Sequence, residues 1–456
     1  MVIFRNLKLI DGISPEVREG KAIRVEGERI AEIVDDGDNL SADRVEDLKG
    51  AYVTPGLIDA HVHLITPFVP KVTPGVIMSL GRQVKRNLKT AVQDGVTTVR
   101  DVAAFPRRIQ GARRAVEAWR IPGPRIVCAN SYITCFGGTP EWVPYLRGPA
   151  KLIAGGQAVD RADSPEEIAA LARHMVELGA DWVKTCHSDR SLCRGKGELP
   201  TLSDESYEAL FSEAKRMGKP VAFHQMWLSA FRKGLQYRPA TFDHTPMDGV
   251  LGDEEVAAFV DSGTALIATL DVYKDTFEFD RISRDLDERG EEFLEPVCHK
   301  MVSSHLDKYM RNGFTAEEIE KEWVIDESIP RGGISNAYEN VRKIWKAGGI
   351  IGCGTDSGGA DFGFFGYFHR ELGNLVEVGL SPFEALRCAT AVNARILGME
   401  NDIGTLEPGK YADLVVVDGN PLEDISVMGR VLAVYKGGNP VKPFPLHFQL
   451  DSPKTN

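Results

Sequence analysis

Between residues 56 and 403 the chain alternates short apolar runs with helix-like patterns, and this alternation limits its folds more than any other feature. The runs are GLIDAHVHL, TTVRDVA (97–103), PRIVCAN (124–130), ADWVKTC (180–186), PVAFHQ (220–225), ATFDHT (240–245), ALIATL (265–270) and GIIGCGTD (349–356). Most are followed by an amphipathic stretch, as at 77–94, 108–119 and 204–217. Two of the helices open on Ser-Pro, at 164 and 381, a cap followed by a residue already set to the helical φ. Alternation of this kind places parallel strands side by side with crossover helices. Eight such units predict the α/β class and a (β/α)8 barrel with insertions, about 250 residues being typical without them.

The two ends read differently. Residues 1–55 and 404–447 carry short strands and turns, and neither piece can bury a core alone. They are expected to pair into one small β-sandwich domain, leaving 56–403 as the barrel. The largest insertion, 273–335, is charged and helix-prone, and reads either as a helical lid over the site or as a solvated helical pair.

The net charge of −12 argues against an extended nucleic-acid or anionic-membrane surface. No apolar run reaches the roughly 18–20 residues of a spanning helix. The opening MVIFRNLKLIDG breaks early and lacks a small-residue cleavage site, so no secretory leader is expected. The seven cysteines are scattered, with no CxxC pair, which fits a reducing, cytoplasmic setting. A small-molecule substrate and a homo-oligomer are expected, without nucleic acid or membrane as partner.

In barrels of this type the chemistry sits at the C-terminal strand ends. His61 and His63 are two residues apart at the end of the first run and so share one side of a strand. Lys184, His224, His244 and Asp356 fall late in the fourth, fifth, sixth and eighth runs. Each has a plain alternative: packing histidines, a snorkelling lysine, a turn aspartate. All six converge on one mouth, and five are residue types that a divalent metal tolerates.

TPGLIDAHVHL, TTVRD, GADWVK, AFHQ, FDHTP, GTDSGG and GTLEPGKYADLVVVDGNP, in this order over nearly the whole chain, resemble the amidohydrolase superfamily. The branch that holds prolidase-like Xaa-Pro and Xaa-Arg dipeptidases looks nearest, and phenylurea and thiocarbamate hydrolases share the plan. The resemblance implies two divalent ions, zinc before manganese, cobalt or nickel. His61 and His63 would serve one ion, His224 and His244 the other, with CO2-carboxylated Lys184 bridging and Asp356 touching the first ion and the catalytic water. An uncapped ammonium between two cations would be repelled, which carboxylation resolves. The implied reaction is hydrolysis of an amide, urea or carbamate C–N bond with Asp356 as proton shuttle, with ester or lactone cleavage using the same parts.

Two departures weaken the transfer of dipeptide specificity. The Gly-Gly-His expected after the third strand reads Gly137-Gly138-Thr139, and Ala103 and Ala104 replace a glycine pair after TTVRD. Five aromatics between Phe362 and Phe368, Phe364 and Phe365 among them, either wall an apolar pocket or pack the barrel mouth. Trp227 and Tyr237 carry the same two readings, and His187 is a candidate substrate contact. No arginine clamp for a free carboxylate is recognisable. These features favour a neutral, fairly apolar substrate over a charged dipeptide. Gln225, where deaminases commonly place a glutamate, disfavours deamination. A ligand-stripped scaffold is disfavoured because every expected ligand position is kept.

Overall fold

Leu57–Val62, the strand that carries GLIDAHV, is buried at all six positions, as is Val96–Asp101 beside it. Burial on both faces is what a parallel strand covered by helices requires. The computed structural model of the protein describes residues 1–37, 41–65, 69–321, 324–326, 332–358, 363–443 and 445.

The expected runs become the barrel strands. In chain order they are Leu57–Val62, Val96–Asp101, Arg125–Cys128 continued by Tyr132–Thr134, Val183–Cys186, Val221–His224, Thr241–Asp243, Ala265–Ile267 and Ile350–Gly352. Neighbours pair in parallel. The ring closes where the eighth strand meets the first: Ala60 N–H donates to Cys353 O (3.1 Å), Asp356 N–H to His61 O (2.8 Å) and His63 N–H to Ser357 O (2.8 Å). The third strand is broken at 129–131, where Asn130 takes a left-handed φ of 63°, and the short strand Val159–Arg161 is added beside its second half. The Ser-Pro starts hold. Ser164 Oγ accepts from Glu167 N–H, and Ser381 makes a reciprocal capping box with Glu384. The helix expected over 381–398 forms as one continuous run, Pro382–Arg387, a π-helical segment at Cys388–Val392, and Asn393–Ile396.

Both ends of the chain build one seven-stranded sheet. Val2–Leu9, Arg18–Glu26, Arg29–Asp35 and Arg44–Pro55 join Leu414–Val417, Val431–Lys436 and Asn439–Lys442. The seam is antiparallel, Leu414 opposite Pro55 and Val416 opposite Val53. Phe4, Ile23, Val53, Leu414 and Tyr435 bury into a shared core, so each piece supplies the apolar face that the other lacks. Gly56 passes from this sheet into the barrel, where a Cβ would strike Thr97 and come within 2.9 Å of Asp413 Cβ.

The insertion is helical, through Phe279–Phe293, Pro296–Arg311 and Ala316–Lys321. It is pinned to the barrel flank: Glu295 pairs with Arg82 (2.6 Å) and Arg86 (2.8 Å), Asp285 with Arg370, and Arg281 with Asp271. Residues 322–323 and 327–331 of the expected lid, and 444 and 446–447 of the expected β-domain, lie outside the described residues. No helix among the described residues is long and apolar enough to cross a membrane.

Candidate metal centre and active site

The first, fourth, fifth, sixth and eighth strand ends bring His61, His63, Lys184, His224, His244 and Asp356 to one cleft floor. Four imidazoles cluster, with ring centroids 4.7 Å apart for His61 and His244, 4.6 Å for His224 and His244, and 5.4 Å for His61 and His63. The Asp356 carboxylate faces them. Its Oδ1 lies 2.9 Å from His63 Nε2 and 3.3 Å from His61 Nε2, and its Oδ2 lies 4.0 Å from His244 Nε2. The backbone is bent to achieve this. His244 (φ 72°), Thr269 (φ 47°) and Asp356 (φ 57°) are left-handed at three successive strand ends. Such non-glycine conformations cost about 1–3 kcal/mol each and concentrate at functional sites. Thr269 Oγ1 in turn sits 2.8 Å from His244 Nδ1 and fixes that ring.

The donor set fits a divalent cation. His61, His244 and Asp356 offer one ligand atom each within 4.8 Å of one another. Asp356 Oδ1 is buried without an aligned hydrogen bond, a costly state that a cation would relieve. Burial, then the nearby Lys184, pushes His224 down to about 3, and burial with His224 holds His244 well below the ordinary range, so both present neutral lone pairs. Burial opposes ionisation of Asp356, yet the facing His61 and His63 rings outweigh it and hold the carboxyl well below the usual range. Imidazole and oxygen donors suit zinc and tolerate manganese, cobalt or nickel.

Above this floor opens a cleft of about 140 Å³. Its walls are mostly apolar, with Val69, Phe105, Trp142, Leu146, Met226 and Trp227. The Trp227 indole N–H donates to Ser188 Oγ (2.9 Å). The other residues expected in the pocket do not line this cleft. His187 Nδ1 meets Tyr207 Oη at 3.0 Å behind the fourth strand. Tyr237 stacks on Phe211, and its hydroxyl donates to Asp204 (3.0 Å). Phe364 stacks on Phe293 of the insertion, and Phe365 is buried in the core. The Phe364 stack packs the insertion onto the barrel, while Phe362 lies outside the described residues. No described residue of the insertion lines the cleft, whose walls come from segments 69–72, 139–146 and 188–192 together with Phe105, Met226 and Trp227.

The model of the amidohydrolase family matches residues 52–441. The chain belongs to the amidohydrolase family. Among curated relatives, the ochratoxinase of Aspergillus niger is 24% identical over 412 residues, which span 84% of this chain and 74% of that protein. An adenine deaminase of Serratia proteamaculans is 31% identical over 464 residues, 99% of this chain but 60% of that protein. Among solved structures, a Xaa-Pro dipeptidase with bound methionine superposes with a TM-score of 0.70 at 25% identity, covering 96% of this chain and 99% of the other.

This amidohydrolase holds site residues that spacing did not reveal. Asp243 and Arg100 are both fully buried beneath the histidines. Asp243 Oδ2 accepts from Lys184 Nζ and lies 3.3 Å from His61 Nδ1. Burial lowers the Lys184 ammonium below the ordinary lysine range, although Asp243 pulls the other way. Arg190 and Lys71 also line the cleft, Arg190 with its guanidinium 4.4 Å above the Trp227 ring and paired with Asp248. Gly354 is needed where the eighth strand crosses the first: a Cβ there would lie 2.6 Å from Ile267 Cγ2 and 2.8 Å from His61 Cβ. Gly354→Ala is therefore expected to lower stability by about 1–3 kcal/mol in denaturant titration. Metal affinity should fall with it, because His61 must yield.

Proposed function

We propose that this amidohydrolase cleaves a C–N bond, of amide, urea or carbamate type, in a small and fairly apolar molecule. The observation that carries the reading is the convergence of four imidazoles, Asp356 and Lys184 on the floor of one apolar-walled cleft. His61 and His63 would hold one divalent ion, His224 and His244 a second, and carboxylated Lys184 would join them. A bound ion of this kind lowers the pKa of water from about 15.7 to roughly 7 and polarises a carbonyl.

The chain's own groups supply the rest. Asp356 is the one carboxylate on the described cleft lining, so it takes the proton of the attacking water and hands it to the departing nitrogen. A carboxylate accepts while ionised and donates once protonated, so one side chain serves both steps. Trp227, Trp142, Phe105 and Met226 exclude bulk water and bind the apolar part of the substrate.

A Xaa-Pro-type dipeptidase is the second reading. It is favoured by the cationic Arg190 and Lys71 on the cleft lining, either of which suits a free carboxylate. Deamination is disfavoured by Gln225: its amide donates to His244 O (2.7 Å), and among the described residues no glutamate lines the cleft beside His224 to move protons.

The test is metal analysis of the purified protein coupled to a panel of N-acyl amino acids, aryl ureas, carbamates, dipeptides, lactones and adenine. Turnover of an amide, urea or carbamate that a chelator abolishes and zinc restores is the expected result. Chelator-insensitive turnover, or release of ammonia from adenine alone, would overturn it.

A further inference from the structure

We propose that Asp243, backed by Arg100, is the positioning residue that holds Lys184 and His61 in register for the metal centre, an inference that rests on the metal-dependent reading above. Asp243 ends the sixth strand, and His244 follows it directly. Successive residues of a strand point to opposite sides. Here the left-handed backbone of His244 breaks the alternation, and both side chains reach His61.

The Asp243 carboxylate is fully committed. Oδ1 accepts from Arg100 Nη2 (2.8 Å) and Thr241 Oγ1 (2.9 Å). Oδ2 accepts from Lys184 Nζ and faces His61 Nδ1 at 3.3 Å. One group thus reaches proposed ligands from the first and fourth strands. Arg100, itself without solvent exposure, supplies the countercharge that a buried carboxylate needs. It also donates to Ala60 O (2.6 Å), the carbonyl just before His61, and its guanidinium lies 4.5 Å from the Trp182 ring.

Two consequences follow. A carboxylate beside Nδ1 keeps the proton on that nitrogen and leaves the lone pair of His61 Nε2 on the side of Asp356. Carboxylation of Lys184 joins Nζ to the carbon of CO2. Starting from the ammonium, one proton leaves to free the lone pair and a second leaves as the N–C bond forms, both to water in the cleft. The nitrogen keeps one N–H, and Asp243 Oδ2 is placed to accept it, which fixes the plane of the new carbamate.

The test uses the full-length holoenzyme, with zinc affinity measured by competition with a chelator. The carbamate is read by carbon-13 NMR after incubation with labelled bicarbonate, and the metal-free Tm is recorded alongside. Asp243→Asn should weaken zinc binding by about 10–100-fold and lose the carbamate resonance. It also strands the Arg100 charge, so the double variant Arg100→Gln/Asp243→Asn is made in parallel. That variant should recover metal-free Tm without recovering zinc affinity or the carbamate. Wild-type zinc affinity together with an intact carbamate, in whichever variant folds, overturns the role of Asp243. A wild-type protein that binds no zinc fails the metal-dependent reading itself, a different result.

Discussion

Replacing Asp356 with asparagine is expected to lower kcat by about 10²–10⁴-fold while the protein keeps its metal. The substitution preserves shape and leaves an amide oxygen among the rings of His61 and His63, 3.3 and 2.9 Å from the present Oδ1. The backbone bond from Asp356 N–H to His61 O, which closes the barrel, does not depend on the side chain. What disappears is the ability to take a proton from water and return it to nitrogen, because an amide does not titrate in this range. Steady-state kinetics beside metal analysis separates the two properties. Normal turnover by Asp356→Asn would refute the assigned role.

The second large effect is expected from His61→Ala, which should cost the metal and, with it, turnover down to background. His61 is 1% exposed and lies between Asp356 on one side and Asp243 on the other. Removing it opens a cavity and strips both carboxylates of a neighbour. Loss of a partner one step behind a ligand already costs about 10–100-fold in metal affinity, and loss of the ligand itself should exceed that. His224→Ala should behave alike, since its ring completes the cluster with His244. Elemental analysis after gel filtration reads the result, and a His61→Ala protein with full metal content and turnover would remove His61 from the ligand set.

Much of this arrangement is legible in the residues because parallel barrel strands are buried on both faces and announce themselves as apolar runs. The two-residue spacing of His61 and His63, and the late placement of Lys184, His224, His244 and Asp356 within their runs, translate directly into strand ends. Asp243 and Arg100 escape such reading for a physical reason. Simple alternation turns Asp243 away from His244, and the left-handed φ that brings both inward is a tertiary effect. A fully buried arginine in TTVRD is equally hidden, since its partners lie on other strands. The pocket was the least legible part. Apart from Phe105, Met226 and Trp227, its walls come from loops at 69–72, 139–146 and 188–192 with no periodicity to read, whereas the conspicuous Phe364 serves to dock the insertion and Phe365 is buried in the core. The break in the third strand at Asn130 likewise has no pattern in PRIVCAN to announce it.

The central claim, that four histidines, a lysine and an aspartate from five strands gather around divalent cations, meets its most direct test in a crystal of the zinc-replete protein. The measurement is an anomalous difference map recorded on either side of the zinc edge. The account predicts strong peaks among His61, His63, His224, His244 and Asp356 that vanish below the edge. A map without a peak among those side chains, from crystals in which they are well ordered, would contradict it.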